Sequence, residues 1–157
     1  MNLIEFLYFR QKNNLAFHDR QTNMYNRNWW ELFAKERKQN EELYLTMIDL
    51  NGLKTINDTK GHLYGDKYIE SFAEKINKHF PNDDVCRLGG DEFLVITKIE
   101  PFDKIFALQN EFSHFSFGMS YKQKNDKLGQ CLKKADLNMY RMKQWKKEKQ
   151  IDFNKNF

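Results

Sequence analysis

The feature that most constrains the fold is a hairpin signature in the middle of the chain. Two apolar runs, Val85–Leu88 and Phe93–Thr97, are separated only by the segment Gly89–Glu92, which reads GGDE. Short apolar runs joined by a few glycine-containing residues predict two antiparallel strands and a tight turn, here with residues that tolerate positive φ at its tip. The turn also places two adjacent carboxylates at its exit.

Periodic patterns on both sides of this hairpin predict the remaining elements. Apolar spacing predicts a buried strand over Leu43–Leu50, a helix from Lys67 to Phe80, a helix after Pro101, an alternating strand over Phe115–Tyr121 and a helix over Lys127–Lys147. The resulting order is β-α-β-β-α-β-α, with the two central strands in the hairpin. This order predicts an α+β fold with a ferredoxin-like βαββαβ core, in which helices flank a mainly antiparallel sheet.

The apolar pattern at the N-terminus predicts a lead-in helix ahead of a single domain. Residues 2–16 look like a helix that is apolar on more than one side, and Trp29–Lys38 predicts another helix. The first helix either packs on its own domain or contacts a dimer mate or a separate regulatory partner. Because 157 residues usually fold around one core, we expect residues 1–18 to form the lead-in and residues 19–157 one domain.

Composition excludes several classes of protein. The 26 basic and 22 acidic residues leave a charge of only +4, and residues 133–149 carry +5 of it, so the rest sums to 4 − 5 = −1 and a nucleic-acid partner is not expected. The two cysteines lack metal-ligand spacing, which fits a reducing compartment. The apolar run Leu3–Phe9 is far shorter than the roughly 20 residues of a membrane span and does not resemble a signal peptide. We therefore expect a soluble, cytoplasmic protein with no membrane partner.

Three carboxylates are the first candidates for chemistry. Asp49 ends a buried strand, and Asp91 and Glu92 leave the hairpin turn. In a split βαβ arrangement that strand lies beside the hairpin, so the three side chains approach one another. One such acid alone is more often a turn residue. Three together repel one another, so that either their pKa values rise or a divalent cation neutralises them, and an all-oxygen set favours Mg²⁺ or Mn²⁺ over zinc.

Lysines complement this acidic set. Lys143 and Lys147 stand four residues apart on the last predicted helix, and Lys54 follows the buried strand. A lysine-rich helix by itself is a solvated face. Beside a magnesium site that keeps open positions, the same ammonium groups could bind the phosphates of a nucleoside triphosphate.

Four ordered motifs give the chain a family resemblance. They are Asp19–Arg27 (DRQTNMYNR), similar to DxLTGLxNR; Asp49–Asp66 (DLNGLKTINDTKGHLYGD), similar to DxDxFKxINDxxGHxxGD; Arg87–Phe93 (RLGGDEF); and Ala135–Lys143 (ADLNMYRMK), similar to ADxALYxAK. Together they resemble the GGDEF domain of the diguanylate cyclases over residues 19–147. The resemblance implies a nucleotidyl-cyclase or palm-like domain. It also implies that the domain, as a two-fold homodimer with facing active sites, condenses two GTP into cyclic di-GMP and releases pyrophosphate.

The resemblance also assigns roles to individual residues. The metal ligands that it implies, for two Mg²⁺ (or Mn²⁺) ions per active site, are Asp49, the backbone carbonyl of Leu50, Asp91 and Glu92. The nucleotide-binding residues that it implies are Lys54, Asn57, His62, Asp66, Gly89, Gly90, Lys143 and Lys147. Asp91 and Glu92 are also the implied catalytic residues, and either could accept the proton of the ribose 3′-hydroxyl.

Base choice has a physical reading that agrees with these roles. A carboxylate such as Asp66 accepts hydrogen bonds from both N1–H and the 2-amino group of guanine. Adenine offers an unprotonated N1 there, which leaves the acid facing a lone pair, and a site built on such bonds rejects the wrong base strongly. Asn57 would read the same guanine.

The chain departs from the family motifs at several positions. The second acid of DxD is Asn51, Leu53 replaces Phe, Gln21–Met24 (QTNM) replaces LTGL, and Lys146–Glu148 (KKE) replaces GRN. None of these changes removes an implied metal ligand, although Lys147 lacks the bidentate fork of arginine.

An inhibitory product site is not expected in this chain. Family members often carry an RxxD motif shortly before the two glycines, and here the Arg is replaced by Phe80 while Asp83 is retained. Two alternatives to an active cyclase stay open: a catalytically weak nucleotide-binding signalling module, and a related cyclase or polymerase that makes another nucleotide product.

Overall fold

The structure, a computed structural model, describes residue 4, residues 15–36 and residues 40–149. Along these ranges the chain forms β1 (Tyr25–Asn26), α1 (Arg27–Glu36), β2 (Leu43–Leu50), α2 (Leu53–Lys60), α3 (His62–His79), β3 (Asp84–Arg87), β4 (Glu92–Thr97), α4 (Phe102–Glu111), β5 (Phe115–Lys122) and α5 (Leu128–Glu148). Most of the predicted helix over 2–16 and the end of the one predicted over Trp29–Lys38 lie outside the described residues. Within the described ranges, no helix is long and apolar enough to cross a membrane.

The strands form one five-stranded sheet in the order β1-β3-β4-β2-β5. Only the two-residue β1 pairs in parallel, with β3, and every other pair is antiparallel. The four longer strands with α3 and α4 give the ferredoxin-like βαββαβ core, so the predicted α+β fold is confirmed. The hairpin strand β4 lies directly beside β2.

Hydrophobic clusters cover both faces of the sheet. On one face α3 and α4 pack over Ile48 and Phe93, and on the other α1 and α5 pack over Leu45 and Leu94. Because successive residues of a strand point to opposite faces, β2 is buried on both sides and reads as a nearly continuous apolar run. A polar residue at its end therefore has to be stabilised by specific partners.

The last helix is fastened to the edge strand β5 by side chains four residues apart. The contacts are Asn138 Nδ2 to Met119 O (2.9 Å), Phe117 N to Met142 Sδ (3.2 Å) and Lys146 Nζ to Phe115 O (2.6 Å). Gly118 allows this close approach, because a Cβ there would collide with the backbone of Met139 and Ala135. The position of α5 on the sheet is therefore closely fixed.

The structure differs from the sequence-based predictions at three elements, of which the first is the short strand β1, which was not predicted. Helix α2 was not predicted, and α3 begins at His62 rather than Lys67, since few residues between Leu53 and Asp66 are buried and the apolar period is weak there. Gly89 and Gly90, at the predicted hairpin turn, do not adopt the positive φ that glycine tolerates. Within the described residues, the glycines with positive φ are Gly52, at 80°, and Gly61, at 89°.

Candidate active site

The carboxylates meet where β2 ends and β4 begins. Asp49 is the direct cross-strand partner of Glu92, and the backbone N–H of Leu50 donates to the carbonyl of Asp91 at 2.9 Å. Side chains that face each other across an antiparallel pair have Cβ atoms only about 5 Å apart. The ladder between β2 and β4 therefore brings the backbones of the three predicted acids to one end of the sheet.

Electrostatics at this corner favour a bound cation. Burial raises the pKa of Asp49 above its usual value, the ion pair with Lys143 opposes this, and repulsion from Asp91 adds to the rise. Burial also raises the pKa of Glu92, again with repulsion from Asp91, while Arg27 acts in the opposite direction. The carboxylates thus disfavour one another's charged forms, and a positive charge placed among them would relieve this.

The oxygen donors fit Mg²⁺ or Mn²⁺ by their chemistry. Asp49, Asp91 and Glu92 supply only carboxylate oxygens, the ligand type that these hard cations prefer. In the described ranges, no three His, Cys, Asp or Glu side chains are gathered closely enough to form a ready-made metal cluster. Since Asp49 is held by Lys143 and Glu92 lies 3.8 Å from Arg27, a metal would exchange with these cations for the same oxygens.

The predicted phosphate-binding lysines differ in their surroundings. All three are exposed, but within the described part of the chain Lys143 Nζ alone among them lies within 2.7 Å of an acid, at Asp49 Oδ1. Lys146, which the motifs do not mark as a site residue, is buried and bonded to the Phe115 carbonyl. Lys146 continues the three- and four-residue spacing of Ala135, Met139 and Met142 along α5, and this helical period is the signal that could have separated it from its neighbours.

The Gly-Gly turn is held by an arginine that the sequence analysis did not single out. The Arg87 guanidinium donates to the Gly90 carbonyl and to Asp19 Oδ1, each at 2.9 Å. A Cβ at Gly89 would lie 3.1 Å from Glu92 Oε2, a tight contact that only a shift of the Glu92 side chain would relieve. Arg87 ends an otherwise largely apolar strand, and a charge at that position is the signal for its role.

The residues predicted to read guanine lie around the junction of α2 and α3. Gly65 is buried against the Asn57 carboxamide, and a Cβ at Gly65 would collide with Asn57 Oδ1. That oxygen is buried and has no partner among the described residues. Asp66 and His62 are exposed nearby in the first turns of α3. The Asn57 carboxamide is therefore packed against Gly65, with its oxygen covered.

Asn51, which replaces the second acid of the family's DxD, is buried and structural. Its carboxamide lies 3.2 Å from the Ser116 hydroxyl, and the orientation that satisfies both of its polar atoms also accepts from the backbone N–H groups of Phe115 and Ser116. An aspartate in this place could not donate to that hydroxyl. Asn51 therefore binds the start of β5 to the end of β2.

At the positions of the inhibitory RxxD motif, this chain has a buried phenylalanine and an aspartate that is paired within the domain. Phe80 is a core residue that is only 1% exposed, and Asp83 pairs with Lys104 at 2.7 Å. The Lys104 ammonium also lies 5.2 Å from the centroid of the Phe80 ring. Asp83 is retained, but its partner is a lysine from α4.

Comparison with known proteins agrees with the motifs. The family model described as diguanylate cyclase, GGDEF domain, matches residues 16–104, which is more than half of the chain. The probable diguanylate cyclase DgcC of Escherichia coli K12 is 36% identical over 93 residues, covering 55% of this chain and 25% of DgcC. The diguanylate cyclase DgcP of the same strain is 42% identical over 67 residues, covering 42% of this chain and 20% of DgcP. The chain thus spans a quarter or less of either relative.

A solved structure shows the same fold. The coiled coil and GGDEF domain of DgcB from Caulobacter crescentus, in complex with c-di-GMP, superimposes with a TM-score of 0.81 at 22% identity, covering 90% of this chain and 89% of that one. The motif order, the carboxylate corner, the family match and this likeness all agree. The chain belongs to the diguanylate cyclase GGDEF domain family.

Proposed function

We propose that the protein is a diguanylate cyclase that condenses two GTP molecules into cyclic di-GMP and releases two pyrophosphates. The observation that carries the proposal is the placement of Asp49 opposite Glu92, with the Lys143 ammonium on the same corner. A triphosphate bound through divalent cations needs this combination of acidic and basic groups. The relatives named as diguanylate cyclases support the same reading.

The metal ligands would be Asp49, the Leu50 carbonyl, Asp91 and Glu92, for two Mg²⁺ or Mn²⁺ ions in each site. When bound, these ions would neutralise phosphate charge and lower the pKa of the attacking hydroxyl. Lys143 would then be released from Asp49 and reach the phosphates, together with Lys54 and Lys147. Gly89 and Gly90 would leave room for the nucleotide beside the turn.

The chemistry that the side chains perform is a proton transfer and a displacement. In each half-reaction the 3′-hydroxyl of one GTP attacks the α-phosphorus of the other. A new P–O bond forms, the bond between the α- and β-phosphates breaks, and pyrophosphate leaves with its electron pair. Asp91 or Glu92 would accept the hydroxyl proton, since both stand where β4 begins, at the corner where the nucleotide would bind.

Base selection would fall to the α2–α3 junction. The exposed Asp66 carboxylate is an acceptor, and the Asn57 carboxamide oxygen would become a second one if it turned away from Gly65, whereas the Watson–Crick edge of guanine offers N–H donors at N1 and N2. His62 lies in the same segment. Adenine would leave these acceptors without donors, which costs more than the gain of any single hydrogen bond.

The product requires two copies of the site. Each of the two nucleotides in cyclic di-GMP has attacked the other, so two protomers with facing active sites would meet about a two-fold axis. Residues 2–16, most of which lie outside the described residues, would be the segment to contact a regulatory partner.

Product analysis tests the proposal. The purified protein is incubated with each of the four ribonucleoside triphosphates in Mg²⁺, and the products are separated by chromatography with Asp91→Asn as the inactive control. Cyclic di-GMP from GTP alone is the expected result. Binding of GTP without turnover would indicate a signalling module, and a different or linear product would indicate a related cyclase or polymerase.

A further inference from the structure

One side chain joins the predicted guanine pocket to the Gly-Gly turn. Gln21 Nε2 donates to Asp66 Oδ1 at 3.1 Å and to the Asp66 carbonyl at 3.3 Å. Its Oε1 accepts from the Arg87 guanidinium at 2.8 Å. The Gln21 carboxamide therefore bridges the first turn of α3 and the end of β3.

Chemistry fixes the orientation of this bridge. Arginine can only donate hydrogen bonds and an ionised carboxylate can only accept them. The Gln21 oxygen must therefore face Arg87, and its NH₂ group must face Asp66. Among side chains of this length, only that of glutamine carries both a hydrogen-bond acceptor and a donor at its tip.

Arg87, which bonds the Gln21 oxygen, and the backbone turn from which Gln21 extends are both held by other hydrogen bonds. Arg87 also bonds Asp19 and has a side chain that is only 11% exposed. Burial alone would raise the pKa of Asp19, but the bonds from Thr22 and Arg87 lower it below its usual value. Thr22 donates to Asp19 through both its N–H and its hydroxyl, and Asn23 turns the chain with a φ of 58°. Gln21 thus extends from a tightly bonded turn.

Asp66 has less support of its own. It lies exposed near the start of α3, where an unrestrained carboxylate samples several rotamers. The bond from Gln21 uses one of the two lone pairs of Oδ1, so the carboxylate can still accept from a base. A recognition group that is already oriented loses less freedom when its ligand binds.

We propose that Gln21 is a positioning residue for base recognition, which sets the Asp66 carboxylate and ties its orientation to the Gly-Gly turn through Arg87. This inference rests on the proposed cyclase function and on the assignment of Asp66 to guanine. The family motif has leucine at this position, and leucine cannot form either bond. The device is therefore a property of this chain rather than of the motif.

Comparison of GTP with ITP is the sharpest test, because ITP lacks the 2-amino group but keeps N1–H. In Gln21→Met, which keeps the length of the side chain and removes both bonds, the ratio of kcat/KM for GTP to that for ITP should fall about 3- to 10-fold. The change should appear in KM for GTP, with kcat within about twofold of wild type. Gln21→Leu, the residue of the family motif, should behave in the same way.

A matched control lies on the same surface. Gln21 and Asn77 line one groove of about 400 Å³ beside α3, but Asn77 is about three helical turns beyond Asp66. Asn77→Met should therefore leave the GTP to ITP ratio unchanged. Thermal unfolding of all three variants checks that each is folded.

The outcomes separate this inference from the proposed function. An unchanged ratio in folded Gln21→Met and Gln21→Leu, with cyclic di-GMP still produced, overturns the positioning role and leaves the cyclase intact. If wild type binds GTP without turnover, the ratio of dissociation constants for GTP and ITP, measured by calorimetry, decides in the same way. If wild type does not bind GTP at all, the proposed function and this inference both fall.

Discussion

Lys143 Nζ lies 2.7 Å from Asp49 Oδ1, and this ion pair joins the last helix to the end of the central strand. The Asp49 side chain is only 10% exposed, whereas that of Lys143 is 45% exposed. The lysine therefore approaches a buried acid from the solvent side. A cation or a phosphate that enters the site must compete for one of these two partners.

Removing one acid from the corner should abolish turnover without unfolding the protein. Asp49→Asn and Asp91→Asn should each lower kcat with GTP by more than about 100-fold, because loss of a ligand costs more than loss of a group that only orients one. Since burial raises the pKa of Asp49, its charged form is unfavourable in the fold, and Asp49→Asn should not lower the melting temperature. Asp103→Asn, on the surface of α4, is the matched control, and near wild-type rates in either test variant would contradict the metal assignment.

Base choice should relax when Asp66 loses its carboxylate. In Asp66→Ser the guanine donors lose their acceptor, and adenine no longer meets a charged group, so the preference for GTP over ATP should fall by about 10-fold or more. A competition assay with both nucleotides measures this directly. Unchanged selectivity would mean that the guanine pocket lies elsewhere.

Product should inhibit only by competition at the active site. Phe80 supplies no guanidinium for the product phosphates, and Asp83 is already paired with Lys104. When initial rates are measured over a grid of GTP and cyclic di-GMP concentrations, the rates at saturating GTP should therefore reach the same maximum at every product concentration. Noncompetitive inhibition at low product concentration would point to a separate product site. Phe80→Arg is not a way to restore the motif, because it would bury a charge in the core at a cost of about 3 kcal/mol or more.

Specific activity should rise with enzyme concentration if two protomers must meet to form product. The expected rise levels off once the dimer dominates, and sedimentation at the assay concentration should show the same transition. A specific activity that does not depend on concentration, together with a sedimenting monomer, would contradict the dimeric mechanism.

The buried amine of Lys146 should make stability depend on alkaline pH. Burial lowers its pKa in the folded protein below the ordinary 10.5 of the unfolded chain. Between the folded-state pKa and 10.5, the unfolded chain therefore binds more protons than the folded one. The free energy of unfolding should therefore rise with pH across that window. Lys146→Met should lose this rise relative to wild type. Urea unfolding of both proteins at several pH values up to 10.5 measures the difference, and parallel profiles would contradict the assignment.

The order of the core elements could be predicted because each has a clear apolar period or an uninterrupted apolar run. β2 was predicted with its observed bounds, Leu43–Leu50, and the hairpin was placed to within one residue at each strand. The approach of Asp49 to the turn also followed, since topology alone places those strands side by side. Helix α2 was missed because Ile56 is its one buried side chain, which leaves no period to detect.

The bonds that organise the site could not be predicted, because they join residues that are far apart in the chain and have no pattern in common. Gln21 was recorded only as a departure from a motif, yet it connects Asp66 with Arg87. Lys146 was grouped with its charged neighbours, and only the packing of α5 on β5 shows that its ammonium bonds the Phe115 carbonyl. Contacts of this kind depend on the final arrangement of the elements rather than on local sequence.

Both edges of the sheet are poorly suited to pairing with a second copy of the chain. Long, exposed edge strands act as templates on which other chains extend a sheet, which leads to aggregation. Here the first strand has only two residues, and side chains of α5 occupy backbone groups of β5 at the other edge. In the described part of the chain, the sheet thus offers no long row of free backbone groups to a second copy. Protomers would instead meet through side chains, in contacts that can form and separate repeatedly without adding strands to either sheet.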